Sequence, residues 1–278
     1  MGQVSLLLWS WIETTRDFAR GRLWGPFLAF TLVQWAAILL LTQFDRPLFS
    51  PILAPLLKMA AGDAVLHYPI FYLALPTIFT ELGLILDVFV GVWFIGAAYL
   101  LFWQADHPAE PRRGVFGRAT GSYGKLVGAR LPVVILLLAM LFVLPRLVFG
   151  TGPGPTGSAQ RFVRYGSFLG GVVLEGLFLY APLAILVERR SIGGALKRSF
   201  GLACRMPVAT LGAVLIPSLV QLPIAAVFRR VERMVTNMSP EIVAWALALA
   251  VLVYTVATFF VVGSSARLFR IRTEGTGA

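Results

Sequence analysis

Three carboxylates stand inside long apolar stretches of this sequence: Glu81, Asp87 and Glu175. A charged side chain at the centre of a bilayer costs roughly 3 kcal/mol even on lenient scales, so such residues mark ion, proton or substrate sites. Gly83, Asp87 and Gly91 recur at every fourth position, which places them on one face of a helix. Small residues on that face admit a neighbouring helix and turn Asp87 toward protein. There it is either a proton or cation site or a hydrogen-bonded carboxyl that joins two helices. Glu81 precedes Asp87 by six residues and does not share its face. Glu175 lies beside Gly170, Gly171 and Gly176, and Gly166 forms a Gly-x-x-x-Gly pair with Gly170. That surface suits close packing, inside a bundle or toward a partner.

Other candidate chemistry is sparse. Glu188 ends an apolar stretch and is placed to hold the following segment through Arg189, Lys197 or Arg198. Gln34 and Gln221 suit bridges between helices. Asp106, His107 and Glu110 imitate a metal cluster, but Pro108 and the polar surroundings read as a solvated turn. His67, the second of two histidines, falls on the opposite side of the membrane if the chain crosses six times. The sequence therefore predicts no metal site and no cofactor. Cys204 is the single cysteine, which excludes an internal disulfide. The serines lack a nearby base, and no Gly-x-Ser-x-Gly, phosphate-binding loop or dinucleotide fingerprint occurs. The expectation is a protein that is not an enzyme.

The elements that position these residues follow from composition. Hydrophobic residues make up 58% of the 278 and charged residues 13%, against about a quarter charged in a soluble domain. Several apolar runs reach the roughly 20 residues that span a bilayer. Six spans result: about Leu23–Phe44, a long run within Tyr72–Trp103, Leu131–Phe149, Phe162–Val187, Met206–Phe228 and Ile242–Ser264. The second is longer than a bilayer needs and must tilt, protrude or kink at Pro76. Pro217 and Pro223 predict a kink in the fifth. Ser50–Gly62 is too short to cross and reads as interfacial or re-entrant. Gly150–Ala159 is an exposed turn.

A block recurs three times: a basic, aromatic amphipathic stretch meets a proline and enters an apolar run. The junction prolines are Pro26, Pro132 and Pro207. The amphipathic stretches are residues 3–20, 116–127 and 191–205. In the first, Leu7, Trp11 and Phe18 oppose Glu13, Arg16, Asp17 and Arg20. In the second, Phe116, Ala119, Tyr123 and Val127 share a face. In the third, Ile192, Leu196, Phe200 and Ala203 oppose Lys197, Arg198 and Arg205. Internal repeats of this kind fix architecture. They predict one membrane domain over residues 1–278, with units at about 3–103, 114–187 and 191–270.

The net charge of +11 falls mostly in short loops, which points to anionic headgroups rather than nucleic acid. With six spans, 16 Lys and Arg fall on one side and eight on the other, so both termini are expected in the cytoplasm. Trp24, Trp103, Tyr68 and Tyr72 fall where interfacial anchors belong. The N-terminal stretch lacks a signal-peptide pattern, and Leu6 breaks the myristoylation pattern begun by Met1-Gly2.

The stretch Pro182-Leu-Ala-Ile-Leu-Val-Glu188, followed by Gly194-Ala-Leu-Lys-Arg-Ser199, resembles the YciC-like membrane proteins. It also resembles the membrane domain attached to some bacterial glycerophosphodiester phosphodiesterases. The matching residues are Pro182, Glu188, Ala195, Leu196, Arg198 and Ser199. The resemblance implies a bundle of about six spans. It implies no activity, because the phosphodiesterase reaction belongs to a separate soluble domain.

The expectation is an all-α polytopic protein of a bacterial inner membrane. Six helices form three hairpins, each preceded by a cytoplasmic interfacial helix. As function it predicts a scaffold, an accessory subunit of a membrane complex or an envelope-maintenance factor, working with a membrane partner or a second copy. The alternative is a transporter or lipid-handling protein that uses Asp87 and Glu175. A water-reachable cavity containing both carboxylates favours the alternative, and dry packing favours the scaffold.

Overall fold

Long runs rich in Leu, Ile, Val, Ala and Phe, with few charges, satisfy their backbone groups internally only as helices in lipid. A computed structural model describes residues 2–107, 114–140 and 158–274, and all its regular elements are helical. We label the helices α1 (Gln3–Asp17), α2 (Gly21–Thr42), α3 (Ser50–Ala61), α4 (Ile70–Leu86), α5 (Val92–Asp106), α6 (Val115–Gly121) and α7 (Tyr123–Leu138). They continue as α8 (Ser158–Phe178), α9 (Ala181–Leu186), α10 (Ile192–Arg205), α11 (Pro207–Leu219), α12 (Gln221–Phe228), α13 (Val231–Asn237) and α14 (Ile242–Glu274). The far end of the third expected span and residues 150–157 of the expected turn lie outside the described residues, as do Pro108 and Glu110.

Five segments are long and apolar enough to cross a membrane: Gly21–Thr42, Ile70–Asp106, Gly166–Leu186, Pro207–Phe228 and Ile242–Thr273. A sixth exists if α6 and α7, bent by 66° at Ser122, count as one. This is consistent with a multi-pass membrane protein. The 37 residues of Ile70–Asp106 would extend about 55 Å at the helical rise. A kink at Pro76 is one of three expected outcomes beside tilt and protrusion; Pro76 lies inside α4, and the helix is interrupted later, by a π-helical turn over Asp87–Gly91 that joins α4 to α5. In the fifth span, where a kink is expected, α11 and α12 are separated by a local break at Val220, because Pro223 has no N–H for the Leu219 carbonyl; Val220 keeps helical dihedrals and Pro207–Phe228 remains one span.

Helix α14 packs against α1, α2, α4, α5 and α11 and forms the axis of the bundle. Two apolar clusters lie along it. One joins Ile38, Phe71, Leu75, Val243 and Val251. The other joins Phe27, Phe102, Tyr180, Leu183, Phe259 and Phe269. The stretch of α14 between them holds Tyr254, Thr255 and Thr258.

The three proline junctions are not equivalent. Pro207 opens α11, where a missing N–H costs little. Pro26 and Pro132 instead lie inside α2 and α7, and the chain turns before them, at Phe18–Arg20 and Ser122. The expected surface stretch over residues 116–127 is therefore two helices, and Tyr123 starts the long one.

The first stretch keeps Leu7 and Trp11 on its packed face and Arg16 and Arg20 outside, as expected, but Asp17 and Phe18 exchange places. Asp17 and Thr14 are buried, while Val4, Leu8 and Ile12 are exposed. Asp17 pairs with Arg267 of α14, whose Nη1 also donates to Thr14 Oγ1 at 2.8 Å. Helix α1 fits closely because Gly212 of α11 meets Leu7 and Gly263 of α14 meets Thr14. In the third stretch the buried face is Ala195, Ser199, Leu202 and Ala203. Phe200, expected on the apolar face, points outward.

Candidate functional site

Asp87 and Glu175, far apart in sequence, meet on one cation. Arg130 of α7 donates from Nε and Nη2 to Asp87 Oδ2, at 3.1 and 2.7 Å. Its Nη1 donates to Glu175 Oε2 at 2.8 Å. A planar guanidinium suits this role, since its fork serves two acceptors at once. The side chains retain 27% exposure at Arg130, 19% at Asp87 and 34% at Glu175, because they face a cavity.

That cavity has a volume of about 300 Å³. Beside the three charged groups, Tyr99, Tyr254, Thr258, Ser218 and Gln221 supply polar atoms to its wall. Among the described residues no other charged side chain lines it. With all three groups ionised the site carries one negative charge in excess.

Interruptions of three helices border this space. The first is the π-helical turn that begins at Asp87. A π turn bonds i to i+5, which frees a carbonyl and shifts the register of the helix beyond it. Tyr123 Oη donates to the Phe89 carbonyl at 2.7 Å. Tyr123 and Arg130 stand seven residues apart on one face of α7, so both reach the same turn. The second is the gap between α8 and α9, where Leu179, Ala181 and Pro182 line the cavity. Pro182 has no N–H for the Phe178 carbonyl, and the helix opens. Ser199 Oγ fills the opening: it accepts from Tyr180 N at 3.0 Å and donates to the Leu177 carbonyl at 2.8 Å. The third is the break at Val220, flanked by the cavity residues Pro217, Ser218 and Gln221.

The depth of the site is set by the spans themselves. Asp87, Glu175 and Pro217 each stand near the middle of a span, and Tyr254 and Thr258 flank the middle of the last. At the same level Thr31 of α2 and Thr255 of α14 share a hydrogen bond of 2.5 Å.

The other expected residues have varied settings. Glu81 is exposed and does not line the cavity. Gly91 is a close contact, where an added Cβ would stand 2.8 Å from Phe30 Cζ. Gly170 meets Met140 closely, while an added Cβ at Gly83 or Gly166 would meet nothing within 4 Å among the described residues. The π turn explains the unlike fates of Gly83 and Gly91, because i, i+4 spacing does not preserve a face across it. Gln34 Oε1 is buried without a hydrogen-bond partner among the described residues. Glu188 accepts from Arg198 Nε at 3.2 Å and pairs with Arg190. Ala195 packs fully buried, Leu196 is half-buried, and Arg189 turns the chain at φ 54°. His107 stacks on Trp103, and Asp106 pairs with Arg270 at 3.0 Å. Trp24, expected as an anchor, stacks on Phe259 and donates to the Phe18 carbonyl at 2.9 Å.

Sequence reasoning misses Arg130 because it stands among loop cations. A signal is present: it lies four residues after Leu126 and three before Val133, on the face of α7 that is buried. Comparison with protein-family models, with characterised proteins and with solved structures finds no match for this chain.

Proposed function

We propose that this chain is a transporter or lipid-handling protein that admits a small polar or amphipathic ligand to the cavity around Arg130. The observation behind the reading is the convergence of three helix interruptions and one charged triad on a single space at mid-span. Irregular backbone at membrane depth is tolerated where it is buried in protein or lines a cavity. Discontinuous helices meeting at the midplane are how many carriers build their binding sites. Cavities of about 300–1,000 Å³ are the usual size of ligand pockets. The triad has a dual role: it compensates buried charge when the cavity is empty and offers carboxylate oxygens to a ligand.

The topology in this proposal is six spans in three hairpins, with α1, α6 and α10 toward the cytoplasmic leaflet of a bacterial inner membrane. Both termini are cytoplasmic, and loop cations meet anionic headgroups. The likeness to the YciC-like proteins belongs to the same proposal. Its motif has a physical content here, since Pro182 opens a helix and Ser199 satisfies the freed backbone. The protein supplies binding rather than covalent chemistry and needs no cofactor.

A second reading, a scaffold or accessory subunit, is favoured by Gly83 and Gly166. Both lie in apolar segments, and among the described residues an added Cβ at either would meet nothing within 4 Å, which suits a partner helix or a second copy.

Cysteine accessibility tests the main reading. In a Cys204→Ser background reconstituted in liposomes, Ser218→Cys is expected to react with a charged, water-soluble thiol reagent. Leu252→Cys, on the exposed face of α14, is expected to resist it. An inert Ser218→Cys, with reagent on both sides, would refute a water-reachable site.

A further inference from the structure

A second cavity of about 360 Å³ adjoins the first, and its wall is entirely apolar. It lies between Trp11 of α1, the break between α11 and α12, and Phe260 of α14. Pro217 and Ala257 line both cavities. The rim residues Ile216, Val220 and Val256 are exposed on the outer face of the bundle, so this pocket faces lipid. The two spaces together have the character of one amphiphile: an apolar chamber beside a polar one, with Pro217 and Ala257 in the wall of both.

The charge of the polar chamber selects the head group. Two carboxylates share one guanidinium, and no further cation lines the wall among the described residues. A group with one positive charge balances the site, whereas an anion adds to the excess and competes with both carboxylates for Arg130. We infer that the ligand is a cationic amphiphile, with an amine head beside Asp87 and Glu175 and an alkyl chain in the pocket bounded by Trp11, Val220 and Phe260. This rests on the proposed binding function and narrows its ligand to one class.

Native mass spectrometry of the full chain, released from detergent micelles, tests the inference with three probes: dodecylamine, butylamine and dodecanoate. The wild-type protein is expected to retain one dodecylamine, with at least tenfold preference over each of the other two. Asp87→Asn and Glu175→Gln are each expected to lower dodecylamine retention about tenfold, and Ala257→Phe, which fills the shared wall, by a similar factor. Equal retention of butylamine overturns the tail pocket, and equal retention of dodecanoate overturns the charge selection. Both comparisons use the wild-type chain and do not depend on any variant folding. If no probe is retained while Ser218→Cys still reacts with the aqueous reagent, the inference falls and the cavity reading stands. If no probe is retained and Ser218→Cys is inert, both fall.

Discussion

Replacing Arg130 with Gln removes the single cation that two carboxylates share. Breaking a buried ion pair costs about 3–5 kcal/mol, because the remaining charge loses its compensation. The three side chains keep between 19% and 34% exposure, which places the expected loss at the lower end, about 3 kcal/mol. For a chain of roughly this size each kcal/mol shifts Tm by about 2–4 °C, so Arg130→Gln should melt about 6–12 °C below wild type. Tryptophan fluorescence during heating in mild detergent reads this directly. The decisive comparison is the neutral triple variant, Arg130→Gln with Asp87→Asn and Glu175→Gln. It leaves polar groups but no uncompensated charge, and it should recover at least half of the lost Tm. Arg130→Lys keeps the charge but lacks the planar fork, and should fall between wild type and Gln. The reasoning is refuted if Arg130→Gln melts with wild type, or if the triple variant is no more stable than the single.

Ser199→Ala should cost about 1–3 kcal/mol in the same assay, the usual penalty for an unsatisfied buried group, since it strands Tyr180 N–H and the Leu177 carbonyl. Adding Pro182→Ala should relieve part of that loss by removing the ring that keeps the helix open, so that the Ala181 N–H can reach the Leu177 carbonyl, and strictly additive losses would show the two are uncoupled. Arg267→Met should be costlier than the Arg130 change, about 3–5 kcal/mol, because Arg267 and Asp17 expose only 3% and 4% of their side chains; adding Asp17→Leu should restore most of it. Gly263→Val should destabilise the fold by driving Cβ to within 2.6 Å of Thr14 Cγ2, whereas Gly166→Val should leave Tm unchanged. Loss of a co-purifying chain in Gly166→Val would favour the scaffold reading, and its retention would count against it.

Features legible in the sequence and features hidden in it divide along a physical line. Apolar runs long enough to span, and carboxylates inside them, are local properties. Asp87 and Glu175 are therefore identifiable from the order of residues alone. Pairings are not local. Arg130 meets carboxylates 43 and 45 residues away, and Asp17 meets Arg267 at a separation of 250. In the sequence each cation reads as a loop or tail charge that orients the protein in the membrane. Helical periodicity misassigns Asp17 at the end of α1, because it sorts polar from apolar faces on the assumption that polar means outward. Leu7 packs inward as that sorting expects, but Asp17 and Thr14 turn inward beside it to meet Arg267, while Val4, Leu8 and Ile12 turn out. The prolines are visible, but their consequence depends on context. Pro207 opens a helix, Pro26 and Pro132 sit within one, and Pro182 breaks one that only Ser199, on another helix, makes tolerable.

The placement of the polar groups argues against their being incidental packing. Helices in lipid gain nothing from exposing polar atoms, and a bundle held by packing alone has no need of them at mid-depth. Here Thr31, Asp87, Glu175, Ser218 and Tyr254 arise on separate spans yet stand at one level, between an apolar cluster containing Phe71 and another containing Phe259. Backbone interruptions fall at the same level, where carbonyls are hardest to satisfy. Tyr123 and Ser199 are committed to satisfying them. A fold selected only for rigidity would close these gaps with continuous helix, at no cost in burial. A triad, three breaks and their hydroxyl partners around one cavity are what the proposed binding function calls for.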